Sequence, residues 1–393
     1  MDDRCAIIGA DVVNALGLGA EQVWAAMMDG VCGIRPLRRF PRGKYATDFA
    51  GELTPDTVEE LRASDGGESG GLAFPMALYV ARRALSCTSA AHRRAGAVGL
   101  VLSTTKAEMG DLERLATGSD APANPRYNPY SLACDVARAL GIGGPVLAVS
   151  NACASGLIAM VEAARILERG EADAVLVVGV DVLTDFVLSG FSAFRALSPQ
   201  PCRPYDADRD GLSLGEGAGA LCLAREPAEG EHALAELAGW GISNDANHIT
   251  APSRTGDGLR NAVGSALVRA GMECYDVHYV NGHGTGTVYN DAMEARALCD
   301  ALAGCPVPVS SMKGYFGHTL GAAGVIEAAI CLTALRERTV PASLGLSTPG
   351  VGRPLRVARS PLALGEMENV LSVKSGFGGV NAAVILSRPG GGR

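Results

Sequence analysis

The chain is expected to fold as an α/β protein with buried strands, and two observations carry that expectation. Short apolar β-type runs alternate with helical ones along its whole length, the pattern of strands covered by helices. Two regions also share one plan, a strand leading to a reactive side chain and then a helix, with a cysteine in the first half and a histidine in the second. That likeness predicts an internal duplication.

The strand-like runs are Val98–Ser103, Val146–Val149, Ala174–Val180, Val277–Val280, Val307–Ser310 and Val370–Val373. Helices are expected at Ser155–Arg169, Leu259–Ala270, Asp291–Ala301 and Ala322–Arg338, where small and branched apolar residues recur at a spacing suited to packing on a sheet. Gly211–Ala224 reads as hairpin-like. The Pro/Gly/Glu stretch Glu226–Gly230 after it marks the expected seam between an N-terminal half, 1–228, and a C-terminal half, 229–393. Gly66–Gly71 and Gly118–Asn128 are Gly/Pro/Ser-rich and read as loops, and the tail Arg388–Arg393 is expected to fray.

Composition narrows the function. A 393-residue chain that is 48% hydrophobic has ample material for a large core. No apolar run reaches the roughly 18 residues that span a bilayer, and Met1-Asp2-Asp3-Arg4 has no secretory character, so a cytoplasmic protein without a membrane partner is expected. Eleven cysteines without a C-x-x-C pair read as reduced thiols, not as a disulfide framework or a zinc site. The net charge of −8 disfavours a nucleic-acid partner, although the basic stretches Arg35–Arg39 and Arg93-Arg94 suit a local acidic one. Only four of the 34 basic residues are lysines: Lys44, Lys106, Lys313 and Lys374.

Val146 to Gly156, VLAVSNACASG, runs a strand into a helix start with Cys153 at the junction. A thiol there feels the positive end of the helix dipole, so its pKa is expected to fall towards neutrality, and small neighbours leave room for an acyl group. A buried cysteine is ordinarily a small hydrophobe. Two histidine motifs downstream, Asn281–Thr287 (NGHGTGT) and Lys313–Thr319 (KGYFGHT), turn the reading towards a covalent catalyst. The G-x-G spacing in Gly211–Gly219 sits between strand-like runs and opens no helix, so it is not a nucleotide site. Gly376–Gly379 suits a tight turn that presses backbone amides against a reaction centre.

With Cys153, His283, His318, Lys313, Glu327 and Gly376–Gly379 in this order, the sequence resembles the β-ketoacyl-acyl carrier protein synthases, the condensing enzymes of fatty acid and type II polyketide assembly. The matching stretches span nearly the whole chain and include Tyr45–Gly51, Ala152–Gly156, Arg203–Gly211, Asn281–Thr287, Gly317–Gly324 and Gly376–Asn381. The resemblance implies the thiolase-like fold, five αβαβα layers built from two similar halves, in a dimer. It implies that Cys153 accepts an acyl chain from acyl carrier protein, and that malonyl-carrier protein is then decarboxylated to attack it. His283 and His318 are implied as donors to the malonyl thioester oxygen, with Lys313 and Glu327 supporting them. The backbone N–H groups of Cys153 and Phe377 are implied as the oxyanion hole, the Phe377 ring as the gate, and Thr285 and Thr287 as partners of the phosphopantetheine arm. No cofactor and no metal are implied, since substrates arrive on the carrier protein.

The chain departs from close relatives in three places. Ser375-Gly376-Phe377-Gly378-Gly379-Val380-Asn381 lacks the usual first aromatic and the threonine, Gly314-Tyr315-Phe316 replaces commoner small polar residues, and Lys106 and Glu108 stand in a segment that is Gly-rich in housekeeping enzymes. These changes favour an elongating synthase of a specialised polyketide or polyene pathway, paired with a catalytically dead chain-length-factor homologue. A homodimeric housekeeping β-ketoacyl synthase of fatty acid elongation is the alternative, and a non-catalytic carrier-protein-binding subunit is the alternative of another class. Arg38, Arg39, Arg203 and Arg209 are candidates for a basic rim facing the carrier protein, the last two also for structural roles.

Overall fold

The computed structural model describes residues 5–64, 70–89, 92, 97–118 and 125–390. Arg93-Arg94, most of the expected loop at 66–71 and residues 119–124 of the second loop lie outside the described residues.

Ten strands form the frame: β1 (Cys5–Asn14), β2 (Val98–Ser103), β3 (Val146–Val149), β4 (Ala174–Asp181), β5 (Gly217–Ala224), β6 (Ala235–Asn244), β7 (Tyr279–Asn281), β8 (Pro308–Ser310), β9 (Asn369–Ser375) and β10 (Val380–Ser387). They fall into two half-sheets of one design. In the first the order is β3-β2-β4-β5-β1, in the second β8-β7-β9-β10-β6. Each half begins with three parallel strands and ends with two antiparallel ones. The halves join where Cys5–Ile7 of β1 pairs with Ala235–Leu237 of β6. This repetition is the expected duplication in structural form. The expected hairpin over Gly211–Ala224 does not form: β5 instead lies between β1 and β4, because its uninterrupted small and apolar residues suit a central strand.

Helices make the other layers. α1 (Ala73–Ser86) and α2 (Pro129–Leu140) cover the outer face of the first half-sheet, packing on alternate residues of β1, β2, β4 and β5. α2 shows why the local sequence folds so: the Asn128 side chain accepts from the Tyr130 and Ser131 N–H groups, Pro129 opens the first turn, and Gly141 closes the last in the left-handed conformation. Between the half-sheets lie α3 (Ser155–Glu168) and, later in the chain, a helix over Ala323–Glu337 that is buried from Ala323 to Leu335. A helix apolar on all sides belongs to an interior. The second half-sheet is covered outside by Asp257–Ala270 and Val288–Ala301. The result is the five-layered αβαβα architecture. Four further helices are labelled in chain order, α4 (Asp185–Ala193), α5 (Asp257–Ala270), α6 (Val288–Ala301) and α7 (Ala323–Glu337), beside shorter or peripheral ones at Ala20–Met28, Pro55–Ser64, Met109–Thr117 and Lys313–Phe316.

α3 and α7 cross at Gly156 and Gly324. A Cβ on Gly156 would lie 2.7 Å from the Val325 nitrogen and 2.8 Å from the Gly324 Cα, so only hydrogen fits. Gly156→Ala is therefore expected to destabilise the protein by about 1–3 kcal/mol, despite alanine's better helix propensity, as overpacked cores do. Urea or thermal unfolding checks this, and an unchanged midpoint would contradict the crossing.

Candidate active site

The parallel strands of both halves deliver their reactive residues from their C-terminal ends towards one cavity of about 410 Å³. Cys153 lies on the turn between β3 and α3. There Ala152 holds φ at 48°, an uncommon value for a residue with a Cβ. Ser155 fastens the turn, its Oγ accepting from Asn151 N at 2.7 Å and donating to Ala152 O at 2.6 Å. Local hydrogen bonds thus hold a strained backbone that presents the sulfur.

His318 follows β8 and the short helix Lys313–Phe316. Its backbone is clamped by the bridged segment Leu212–Gly215: His318 N donates to Ser213 O at 2.7 Å and His318 O accepts from Gly215 N at 3.0 Å. His318 Nε2 lies 3.0 Å from Cys153 Sγ, while Nδ1 accepts from the Leu320 N–H at 3.3 Å. A neutral ring whose Nδ1 accepts carries its proton on Nε2, so His318 presents an N–H donor to the sulfur.

His283 follows β7, and two buried carboxylates from the first turns of α6 hold its loop. Glu294 accepts from the His283 and Gly284 N–H groups at 2.5 and 2.8 Å, and Asp291 accepts from Thr285 and Gly286. Tyr205, wholly buried, donates its hydroxyl to Glu294 at 3.0 Å. Burial pushes the Glu294 carboxyl up to about 7. The His283 and His318 rings meet edge to face with centroids 5.2 Å apart, and His283 Nδ1 is buried with no hydrogen-bond partner among the described residues. Burial, and then the nearby lysine ammonium groups, hold both histidines well below their usual range, so both are neutral.

Behind the histidines Glu327 accepts from Lys313 Nζ at 2.7 Å and from Lys374 Nζ at 3.0 Å, with all three side chains fully buried. Lys313 and Glu327 do not line the cavity. Burial opposes ionisation of Glu327, but the two ammonium groups prevail and hold it below its usual value.

The turn after β9 completes the site. Gly378 and Gly379 adopt φ of 85° and 79°, which brings the Phe377 N–H, together with that of Cys153, to the sulfur. The Phe377 ring stacks on Phe191 at 5.8 Å and meets Phe194 edge-on at 5.9 Å, the three lining the cavity. Thr285 and Thr287 line it too, with their hydroxyls 2.9 Å apart.

One expectation fails. The Cys153 thiol is not lowered towards neutrality: burial raises it to about 12, outweighing Lys313 and the two backbone N–H groups. α3 starts only at Ser155, and the sulfur lies in a desolvated pocket where an anion is costly. Cys153 Sγ and ring nitrogens of both histidines lie within 4.8 Å of one another. The ammonium groups behind them favour a developing oxyanion at the point of convergence over a metal cation.

The structure therefore brings Cys153, His283, His318, Phe377, Thr285 and Thr287 to one cavity, with Lys313 and Glu327 directly behind. Of the basic-rim candidates, Arg209 is buried and donates to the carbonyls of Asp206, Gly350 and Val288, and Arg39 is paired with Glu52 and Glu216, so these two hold the fold. Sequence reasoning missed Lys374, Asp291, Glu294 and Tyr205. The scarcity of lysine pointed to Lys374, and the carboxylates one turn apart after the His283 motif were visible as a pair.

Family models described as the N-terminal and C-terminal domains of beta-ketoacyl synthase match residues 2–228 and 234–347. A 3-oxoacyl-acyl-carrier-protein synthase 2 from Vibrio cholerae serotype O1 is 33% identical, over 98% of this chain and 99% of that one. A polyketide beta-ketoacyl synthase from Streptomyces cyaneus is 32% identical, over 100% and 99%. The solved structure of the ishigamide ketosynthase/chain length factor superposes with a TM-score of 0.90 at 29% identity, covering 98% of this chain and 99% of that one.

Proposed function

The chain belongs to the beta-ketoacyl synthase family of condensing acyltransferases, and from that premise we propose that it is the active, elongating ketosynthase of a specialised type II polyketide or polyene system. The observation that carries the reading is the buried convergence of Cys153 with two neutral histidines, His318 Nε2 standing 3.0 Å from the sulfur. A non-catalytic binding subunit has no use for that arrangement.

In the first stage the Cys153 sulfur attacks the thioester carbonyl of an acyl-carrier protein. The N–H groups of Cys153 and Phe377 hold the oxyanion. The carbon–sulfur bond to the phosphopantetheine arm breaks, and the released thiol takes the proton that Cys153 loses. Neutral Cys153 at rest gives up that proton only as His318 Nε2–H, the two backbone N–H groups and Lys313 balance the charge. In the second stage malonyl-carrier protein enters with Thr285 and Thr287 along its arm. His283 and His318 donate to its thioester oxygen. The bond to the malonyl carboxylate breaks, carbon dioxide leaves, and the electron pair becomes an enolate whose carbon attacks the Cys153 thioester. The sulfur departs as thiolate, 3-ketoacyl-carrier protein is formed, and a proton from water restores the resting thiol. The residues call for no cofactor in either stage.

A second subunit is favoured by β3, one of the two edges of the sheet, where Leu147 is exposed beside half-buried Val146 and Ala148. An unpaired apolar edge is a template for strand pairing, and the turn bearing Cys153 follows directly. The ishigamide structure contains a ketosynthase/chain length factor, which supports a heterodimer; the Vibrio cholerae relative, a 3-oxoacyl-acyl-carrier-protein synthase, supports the alternative, a homodimeric housekeeping synthase of fatty acid elongation. In either case the reaction belongs in the cytoplasm. Intact-protein mass spectrometry after incubation with acyl- and malonyl-carrier proteins decides between these. Elongation by the chain alone means a self-sufficient synthase, elongation only with a co-encoded homologue means a heterodimeric ketosynthase, and no acylation of Cys153 in either case overturns the reading.

A further inference from the structure

Lys374 has no place in the reaction as described so far, yet it is one of only four lysines and is fully buried. It stands near the end of β9. Its Nζ lies 2.9 Å from Asn281 Oδ1, 2.9 Å from the Val373 carbonyl and 3.0 Å from Glu327 Oε2, with Ser372 Oγ at 3.3 Å. Asn281 spends its own Nδ2 on Glu327 at 3.1 Å and its Oδ1 also accepts from Ser372, so the amide is oriented with oxygen towards the lysine. Carbonyl, amide and carboxylate oxygens are all acceptors. An ammonium supplies one N–H to each, whereas a neutral amine has two and would turn its lone pair at the third. The geometry requires a charged Lys374.

The charge count follows. Lys313 takes one oxygen of Glu327 and Lys374 the other, so two cations face a single carboxylate and the buried cluster carries one unmatched positive charge. A Lys313–Glu327 pair alone would be a neutral dipole whose field largely cancels at a distance. We propose that Lys374 is a positioning residue that gives this site a permanent excess positive charge, balanced in turn by the Cys153 thiolate and by the malonyl-derived enolate. The proposal deepens the ketosynthase reading and rests on it for the enolate.

Several charged or titratable groups face these centres. Lys374 meets Glu327, Lys313 and Cys331; the histidines meet each other, Lys313, Lys374 and Cys153; the sulfur also feels Asp181. Burial, with the neighbouring Lys313 ammonium, holds Lys374 below its usual value against the pull of Glu327, and the three acceptors around Nζ keep the proton in place. Asp181 is already matched by Lys106 at 3.0 Å, so it does not cancel the excess.

The test is the pH dependence of Cys153 alkylation by iodoacetamide in the full-length protein, wild type against Lys374→Met and Lys374→Gln, followed by mass spectrometry of the Cys153 peptide. Alkylation is expected to be about tenfold slower at pH 7 in both variants, with the thiol titrating at higher pH, a change worth about 1.4 kcal/mol. Variants that lose thermal stability but keep the wild-type alkylation profile would show a purely structural lysine and overturn the proposal. Because alkylation needs no carrier protein, a failure of the ketosynthase reading leaves this result standing. Should neither variant fold, wild-type protein labelled with 13Cε-lysine has four signals; all four charged at pH 7.5 supports the assignment, and one neutral lysine overturns it.

Discussion

Cys153→Ala is expected to abolish both acyl transfer and condensation, a loss of roughly 10⁴-fold or more, because no other described nucleophile meets the two histidines. Cys331, the last cysteine in the chain, is buried inside α7 with its thiol pushed up by desolvation, and Cys202 and Cys222 are buried likewise. None offers a detour. The alanine variant is expected to fold, since it removes one sulfur and leaves in place the hydrogen bonds of Asn151, Ala152 and Ser155 that fasten the turn. Acylation read by intact mass, beside an unfolding curve, separates chemistry from stability. Residual acylation above a hundredth of the wild-type rate would move the nucleophile elsewhere.

Glu327→Gln is the substitution with the largest expected effect on stability. It leaves the Lys313 and Lys374 ammonium groups fully buried without a carboxylate, and an uncompensated buried charge costs about 3–5 kcal/mol. The pH dependence has a definite sign. The folded-state pKa of Glu327 lies below its usual value of 4.5, so its contribution is complete above that value and is lost as pH falls through the lowered one. Wild-type stability should therefore decline on acidification below about pH 4.5 in part through this group, and the glutamine variant should lack that part of the decline. Chemical denaturation between pH 3 and pH 8 checks both, and a variant within about 1 kcal/mol of wild type at pH 7 would mean the lysines shed their charge.

The strands that carry the site were legible with small shifts of boundary. Val98–Ser103 and Val146–Val149 match β2 and β3, whereas Val277–Val280 is displaced to Tyr279–Asn281. Helix α3 ends one residue early and α7 spans Ala323–Glu337. The misreading of Gly211–Ala224 has a physical source. Small residues in alternation with apolar ones suit a turn-linked ribbon and a central strand equally, and only the neighbours β1 and β4 decide.

By itself the sequence determined the α/β class, the repeated strand–residue–helix plan and the reactive side chains Cys153, His283 and His318, because periodicity and residue chemistry are local properties. Tertiary structure alone decided the electrostatics. The thiol's rise to about 12, the neutrality of both histidines and the pairing of Glu327 with two lysines, one from the short helix Lys313–Phe316 and one from β9, arise from desolvation and through-space charge. Those depend on which distant residues the fold packs together, and no spacing along the chain encodes them.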